Sequence, residues 1–162
     1  MIGILEGVVY INNVEEFLSK IKKIGEERNM VIQVMDADKL AGEKHIRFAV
    51  EKAIHSFKTG RNIANQLSKE IMLYAAGTRQ INKAMKLGIH EGKNNIAIVT
   101  VGEQPDLSGI KITPKPVLEY HESKKEVLME IFNITEKEIK AVGEDKIPEL
   151  VLERVALLDV IK

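Results

Sequence analysis

Residues 58–89 read KTGRNIANQLSKEIMLYAAGTRQINKAMKLGI, and this stretch organises the predictions for the rest of the chain. Within it, residues 71–76 are apolar in succession, a pattern typical of a helix that is buried nearly all round. Gly77 is predicted to end that helix, and Thr78 to cap a second helix over residues 79–87. The stretch therefore predicts a loop, a buried helix, a Gly-Thr turn and a second helix.

Hydrophobic periodicity predicts the remaining elements. Strands are predicted over 2–11, 30–35 and 95–101, and helices over 14–26, 43–57, 124–132, 136–142 and from about 145 to the C-terminus. Capping signals support three of the helices, namely Asn13 with Glu16, Ser123 with Glu126, and Thr135 with Glu138. The predicted fold class is α+β, with a small, mostly antiparallel or mixed sheet of three to five strands packed with six or seven helices.

The length and composition bound the architecture. The 162 residues, of which 44% are hydrophobic, predict a single domain over residues 1–162, with a possible minor boundary in the proline-containing loop 102–116. The absence of cysteine excludes disulfides and thiolate metal sites. No apolar run approaches the length of a membrane span and no signal pattern opens the chain, so we expect a cytoplasmic protein without a membrane partner.

No arrangement of residues typical of an active site is present. His45 and His55 share a predicted helix but do not have metal-ligand spacing, and we expect the four histidines to lie at the surface or at its boundary. Asp36 and Asp38 fit a turn better than a metal or acid pair. Phosphate-binding loops and nucleophile motifs are missing. We therefore predict a protein that is not an enzyme and has no catalytic residue, metal or cofactor.

Positive charge is concentrated around the central stretch. Residues 58–93 contain seven Lys or Arg against two Glu, although the formal net charge of the chain is zero. Arg79, Lys83 and Lys86 follow an i, i+4, i+7 spacing that would place them on one face of the helix predicted over 79–87. A solvated helix face and a small RNA-binding site both fit this pattern. The neutral net charge and the few aromatic residues favour a site for a few nucleotides over a long groove.

The C-terminal helix has two apolar stripes. One is predicted to face the core and consists of Ile147, Leu150, Val151, Val155, Leu158 and Ile161. The other consists of Leu152, Ala156 and Val160. A terminal helix needs only one apolar face, so the second stripe indicates either a partner protein or a helix wedged between two internal layers.

These features coincide with a family resemblance. Residues 49–89, AVEKAIHSFKTGRNIANQLSKEIMLYAAGTRQINKAMKLGI, resemble the signature of the PRPK-binding-protein (TPRKB) family, the small subunit of the KEOPS complex, also called EKC. The similarity continues in NNIAIVTV (94–101) and MEIFNITEKEIKAV (129–142) and covers most of the chain, with the loop 102–116 least similar. The Gly-Thr-Arg-Gln-Ile turn at 77–81 resembles archaeal members more than animal ones.

The resemblance implies a non-catalytic subunit in the synthesis of threonylcarbamoyladenosine at position 37 of tRNA. Such a subunit would bind the kinase-like ATPase subunit directly, the threonylcarbamoyltransferase subunit indirectly through that kinase, and the 3′ CCA end of tRNA. The residues expected at the RNA are Lys58, Arg61, Asn62, Thr78, Arg79, Gln80, Lys83 and Lys86. Those expected at the kinase-like partner are Val151, Leu152, Val155, Ala156, Leu158, Asp159 and Val160.

Two other functions stay open on the sequence. One is a purely protein-binding regulator of a small atypical kinase, with no direct RNA contact and with the basic stripe as a solvated face. The other is a small enzyme whose pocket the sequence does not reveal.

Overall fold

The structure is a computed structural model that describes residues 1–103 and 107–161. Residues 104–106, within the predicted loop 102–116, and Lys162 lie outside the described residues. The strands are β1 (Ile2–Ile11), β2 (Val31–Asp36), β3 (Gly92–Val101) and β4 (Thr113–Pro114). The helices are α1 (Val14–Arg28), α2 (Glu43–Lys58), α3 (Leu67–Ala76), α4 (Ile81–Ala84), α5 (Lys125–Phe132), α6 (Glu136–Val142) and α7 (Ile147–Ile161). Short 3₁₀ turns cover Ala37–Lys39, Met85–Leu87, Glu122–Lys124 and Glu144–Lys146.

The first of two compact units contains the sheet and α1 and comprises residues 1–38 and 88–118. Its strands follow the order β2-β3-β1-β4, and all neighbouring strands are antiparallel. The long β1 and β3 pair over their whole length, from Ile2 opposite Val101 to Ile11 opposite Gly92. The β1–β3 antiparallel pair therefore forms the centre of the sheet.

Helix α1 covers one face of this sheet. The Asn13 side chain accepts the Glu16 backbone N–H at 3.0 Å, which confirms the predicted cap. Burying the apolar side of α1 against the strands creates a core built from aliphatic side chains. Its buried members are Val9, Ile11, Ile21, Val34, Ile96, Ile98 and Ile110.

The second unit is helical and comprises residues 39–87 together with the chain from residue 119 onward. The helix α3 is buried from Glu70 to Ala76, as its nearly all-apolar sequence predicts. The helix α7 packs against α2, α3 and α5. The core around α5, α6 and α7 consists of Ala41, Leu128, Phe132, Ile134, Ile139, Ile147, Leu150 and Val151.

The predicted helix over 79–87 is wrong in its extent. The α-helix covers only Ile81–Ala84 and tightens into the 3₁₀ turn Met85–Leu87. The reason lies at Thr78, whose Oγ accepts the Gln80 backbone N–H at 3.1 Å and closes a local turn. Gln80 keeps an extended backbone, so Thr78 is not the helix cap and Arg79 precedes the helix.

The described residues contain seven α-helices and a four-stranded antiparallel sheet, which confirms the predicted α+β class. The prediction of a single domain over 1–162, with its possible boundary at 102–116, stays a prediction.

Candidate functional site

A cavity of about 360 Å³ in the helical unit brings together part of the predicted RNA-binding set. The end of α3, the short α4 with its 3₁₀ turn, the end of α5 and the second half of α7 form its walls. Its lining consists of Ala76, Gly77, Thr78, Lys83, Lys86, Ile131, Phe132, Asn133, Arg154, Leu157 and Ile161. The cavity thus combines exposed cationic side chains with an apolar wall.

Gly77 allows the chain to turn at the edge of this cavity. Its backbone is left-handed, with φ at 62°, which ends α3 in a conformation that favours glycine. A Cβ at this position would lie 3.1 Å from the carbonyl oxygen of Arg154 on α7. Because Gly77 has no side chain, the end of α3 can lie close to the backbone of α7.

Lys83 and Lys86 supply the positive charge of the cavity. Both are exposed. Among the residues that the structure describes, neither ammonium group takes part in an ion pair. The Lys39 ammonium donates to the backbone carbonyl of Lys86 at 2.7 Å and ties the 3₁₀ turn to the start of the unit. The two lysines thus present charge to the cavity from a fixed backbone.

Arg154 lines the cavity, but its guanidinium bonds to other parts of the protein. Its Nε donates to the Phe132 carbonyl at 3.0 Å, and Nη2 donates to the Asn133 carbonyl at 3.0 Å. Nη2 also contacts both carboxylate oxygens of Glu138, at 2.7 and 2.9 Å. Hydrogen bonding from Arg154 is the main cause that holds the pKa of Glu138 below its usual range. Arg154 therefore joins α5, α6 and α7 and shapes the wall.

The other residues expected at the RNA lie outside the cavity. The Arg79 guanidinium donates to the carbonyl of the cavity residue Ile161 at 3.3 Å, and Gln80 is exposed beside it. The remaining three are exposed at the other end of α3. Lys58 is the last residue of α2, and Arg61 and Asn62 lie in the loop between α2 and α3. The described lining of the cavity includes none of these five residues.

His45 supports the cavity from behind and is not a surface histidine, so that prediction is wrong. It is 1% exposed, because α2 places it inside the helical unit. Its Nδ1 accepts the Ala41 backbone N–H at 3.0 Å, so Nε2 carries the proton and donates to the Ala75 carbonyl at 2.7 Å. Its ring meets the cavity residue Phe132 edge-on. The neutral imidazole thus fixes two backbone segments.

This burial predicts an acid-sensitive fold. Burial lowers the pKa of His45 from 6.5 to about 4, and the positive charge of Lys124 acts in the same direction. The His45 side chain takes up a proton more readily in the unfolded chain than in the folded protein. The stability that neutral His45 contributes is therefore fully present above pH ~6.5 and is lost as pH falls towards 4. We expect the free energy of unfolding to fall by about 2 kcal/mol between about pH 7.5 and pH 5. Urea denaturation across this range would measure the fall.

The control separates His45 from other titrating groups. The variant His45→Gln should flatten the fall, whereas His121→Gln, at an exposed histidine, should retain it. NMR titration of the His45 ring in the parent protein gives a second reading. A ring that titrates near its ordinary pKa in the folded protein would contradict the prediction.

A second concavity, of about 510 Å³, is a groove between α2 and α7. Leu152 and Ala156 of the predicted partner stripe line it together with Phe48. Charged residues complete the lining, namely Lys44, Arg47, Glu51, Glu149 and Glu153. An apolar strip flanked by charges of both signs is typical of a protein-binding surface.

The rest of the predicted partner set is divided by the structure. Val151, Val155 and Leu158 are fully buried in the protein's own interior. The prediction that these three residues contact a partner at the surface is therefore wrong. Val160 is 76% exposed and is absent from the described lining of the groove. Ile161, predicted to face the core, is 57% exposed because it lies at the last turn of α7.

Asp159 bonds to side chains of the helical unit. Its carboxylate accepts the hydroxyl hydrogen bond of Tyr74 and pairs with the Lys52 ammonium at 2.6 Å. Burial raises the pKa of Tyr74, and the bond to Asp159 raises it further. Asp159 therefore joins α7 to α3 and α2, which is a structural role that the sequence pattern did not indicate.

The acidic turn at Asp36 and Asp38 forms as the sequence predicts. The Asp38 backbone N–H donates to Asp36 Oδ1 at 3.0 Å, which confirms the turn. Across residues 1–103 and 107–161, no three potential metal-binding side chains cluster. Within the same ranges, no helix has the length and apolar character needed to cross a membrane.

Two comparisons identify relatives. The model of the family described as "Kinase binding protein CGI-121" matches residues 9–159. A protein of Methanocaldococcus jannaschii named "Regulatory protein Cgi121" is 33% identical over 136 residues, which cover 80% of this chain and 84% of the relative.

Proposed function

Because the chain belongs to the CGI-121 family of kinase-binding proteins, as its resemblance to the PRPK-binding proteins predicted, we propose that it is a non-catalytic accessory subunit of the KEOPS complex. In this role it binds the kinase-like ATPase subunit and the 3′ CCA end of tRNA during synthesis of threonylcarbamoyladenosine at position 37. The observation that carries the RNA part of this proposal is the cavity at Lys83 and Lys86.

The chemistry of the cavity fits a nucleotide at the end of a single strand. A nucleotide joins an apolar base face to an anionic phosphate, and the cavity offers apolar Leu157 and Ile131 beside Lys83 and Lys86. Its volume of about 360 Å³ lies at the lower end for ligand pockets. Proteins read single-stranded RNA by accommodating unstacked bases, so a cavity of this size suits a terminal nucleotide better than a duplex.

The separation between the cavity and the loop with Arg61 and Asn62 favours a long ligand. The cavity lies at the C-terminal end of α3, and the loop with Arg61 and Asn62 precedes its N-terminal end. Ten helical residues separate them by about 15 Å. A mononucleotide cannot contact both regions, whereas a tRNA end can place its terminal nucleotides in the cavity and phosphates at the loop. Lys58, Arg79 and Gln80 add polar groups near these two regions.

The groove between α2 and α7 supports the protein-binding part of the proposal. Phe48, Leu152 and Ala156 form an apolar strip that a partner can desolvate. The charged residues around it favour one orientation of that partner. We place the kinase-like subunit on this groove, and the transferase subunit contacts the chain only through that kinase.

Positioning is the mechanism that follows from these two sites. A subunit that holds the tRNA end while bound to the kinase-like subunit raises the local concentration of the anticodon loop at the transferase. Linking two binding sites in this way raises overall affinity by about 10²–10⁴-fold. The protein then contributes to the reaction without a reacting group of its own.

The alternative is a regulator that binds only the kinase-like partner and leaves Lys83 and Lys86 in solvent. A reconstituted modification reaction separates the two functions. Purified kinase-like and transferase subunits would be supplied with tRNA, ATP and an activated threonylcarbamoyl donor, with and without this protein, and the modified adenosine would be quantified. Our proposal predicts a yield that depends on this protein and falls when the 3′ CCA is removed. A yield that depends on the protein but not on the CCA would favour the alternative.

A further inference from the structure

A buried carboxylate, Glu70, holds the loop that precedes α3. It lies in the first turn of α3 and is 0% exposed. Its Oε1 accepts the backbone N–H of Ile63 at 3.0 Å and that of Ala64 at 2.8 Å. Its Oε2 accepts the Ser56 hydroxyl at 2.6 Å and the Ile63 N–H at 3.2 Å. Both oxygens therefore bond to groups outside α3.

These bonds fix a segment that has no regular secondary structure. The Arg61 backbone N–H donates to the Ser56 carbonyl at 2.8 Å, so the chain is held on both sides of Asn62. The Asn62 side chain itself donates to the Ala64 carbonyl at 2.8 Å. The side chains of Arg61 and Asn62 are exposed on this fixed backbone.

Burying a charged carboxylate is costly unless hydrogen bonds compensate it, and an uncharged residue would fill this space at a lower cost. The carboxylate supplies two acceptor oxygens at once, which pin two consecutive N–H groups and a hydroxyl. The result is a loop that keeps one conformation before any ligand arrives. Such preorganisation raises affinity because less conformational entropy is lost on binding.

We propose that Glu70 is a positioning residue for RNA binding, which holds residues 61–64 in the conformation that presents Arg61 and Asn62 to the phosphodiester backbone of a single strand. This inference rests on the proposed function and adds a second RNA contact to the cavity. The loop recognises phosphates, so its contribution is independent of the base sequence.

Glu70→Gln tests this role because it keeps the shape but removes the charge and one acceptor. We expect the affinity for intact tRNA, measured by fluorescence anisotropy, to fall about fivefold, and about twentyfold for Glu70→Ala. We also expect the amides of Ile63 and Ala64 to exchange at least about tenfold faster by NMR, with the amides of α3 unchanged.

Tyr74→Phe is the matched control. It removes the hydrogen bonds of the Tyr74 hydroxyl to Asp159 and Ser56, and leaves the bonds of Glu70 to the backbone N–H groups of the loop in place. A loss of affinity that arises only from a less stable α3 would appear in both variants. The positioning role predicts parent-like RNA affinity for Tyr74→Phe. Equal losses in Tyr74→Phe and Glu70→Gln would overturn it.

A double-mutant cycle decides whether Glu70 acts through the loop. In the Arg61→Ala/Asn62→Ala background, Glu70→Gln should change the tRNA affinity by less than about twofold. The same loss in both backgrounds overturns the inference. The inference is also wrong if Arg61→Ala/Asn62→Ala binds like the parent while cavity variants do not, and the proposed function then stands. A parent protein that binds no tRNA overturns both.

Discussion

Replacing Lys83 and Lys86 together by glutamate is expected to lower the affinity for tRNA by at least about a hundredfold. Hydrogen bonds to charged groups contribute about 1.5–3 kcal/mol each, and the reversal also places two negative charges where phosphates would bind. Both side chains are exposed, so the fold should tolerate the change. Fluorescence anisotropy with labelled tRNA at fixed salt measures the loss.

A control variant with the same change in net charge distinguishes an effect at the cavity from an effect of the protein's overall electrostatic field. Lys22→Glu/Lys23→Glu changes the net charge by the same amount on α1, where both lysines are exposed. It should weaken tRNA binding only slightly. Equal losses in the two double variants would mean that RNA responds to net charge and not to the cavity. Binding to the kinase-like partner should be unchanged in both.

The second large effect is expected from Leu152→Asp, which should weaken binding to the kinase-like subunit by at least about a hundredfold. Leu152 lies in the apolar strip of the groove between α2 and α7. A carboxylate there would lose its water when the partner docks, and this desolvation is costly. Truncations at the centre of an interface cost about 2 kcal/mol or more, and a buried charge costs more than truncation. Isothermal titration calorimetry with the purified kinase-like subunit measures the loss.

Leu18→Asp provides the matched comparison. It makes the same substitution at a leucine of α1 that is 38% exposed and lies in the other unit. This variant should bind the kinase-like subunit as the parent does, and tRNA affinity should survive in Leu152→Asp. Parent-like kinase binding by Leu152→Asp would move the partner surface away from this groove.

Local sequence signals predicted most elements of the fold because their physical causes are local. The cap at Asn13 and the capping box at Thr135 with Glu138 are both present. The box predicted at Ser123 is wrong, because the 3₁₀ turn Glu122–Lys124 takes this serine into the helical segment. A cap depends on where the first turn begins, and tertiary packing shifts that start by a few residues.

The candidate site was only partly predictable. Charge and spacing indicated Lys83 and Lys86, which line the cavity with Thr78. The single face expected for Arg79 with these lysines is absent, because the turn at Thr78 delays the helix. Nothing local indicated Arg154, since its partners are 16 to 22 residues away in sequence.

Burial was hardest to predict for polar side chains. His45 and Glu70 both lie inside the helical unit because backbone groups outside their own helices satisfy their hydrogen bonds. The apolar stripes of α7 were separated correctly in part, since Val151 and Val155 are buried and Leu152 lines the groove. The exposure of Ile161 depends on where the helix ends relative to its neighbours, which periodicity does not encode.

Binding of the purified protein to one tRNA, intact and with its 3′ CCA removed, tests the central claim most directly. Fluorescence anisotropy across a salt series would give both affinities, with a log–log slope of about −0.7 for each phosphate neutralised on a single strand. We predict tight binding of the intact tRNA, a slope for a few phosphates and a large loss when the CCA is removed. Equal affinity for both RNAs, or no binding to either, would contradict recognition of the tRNA end.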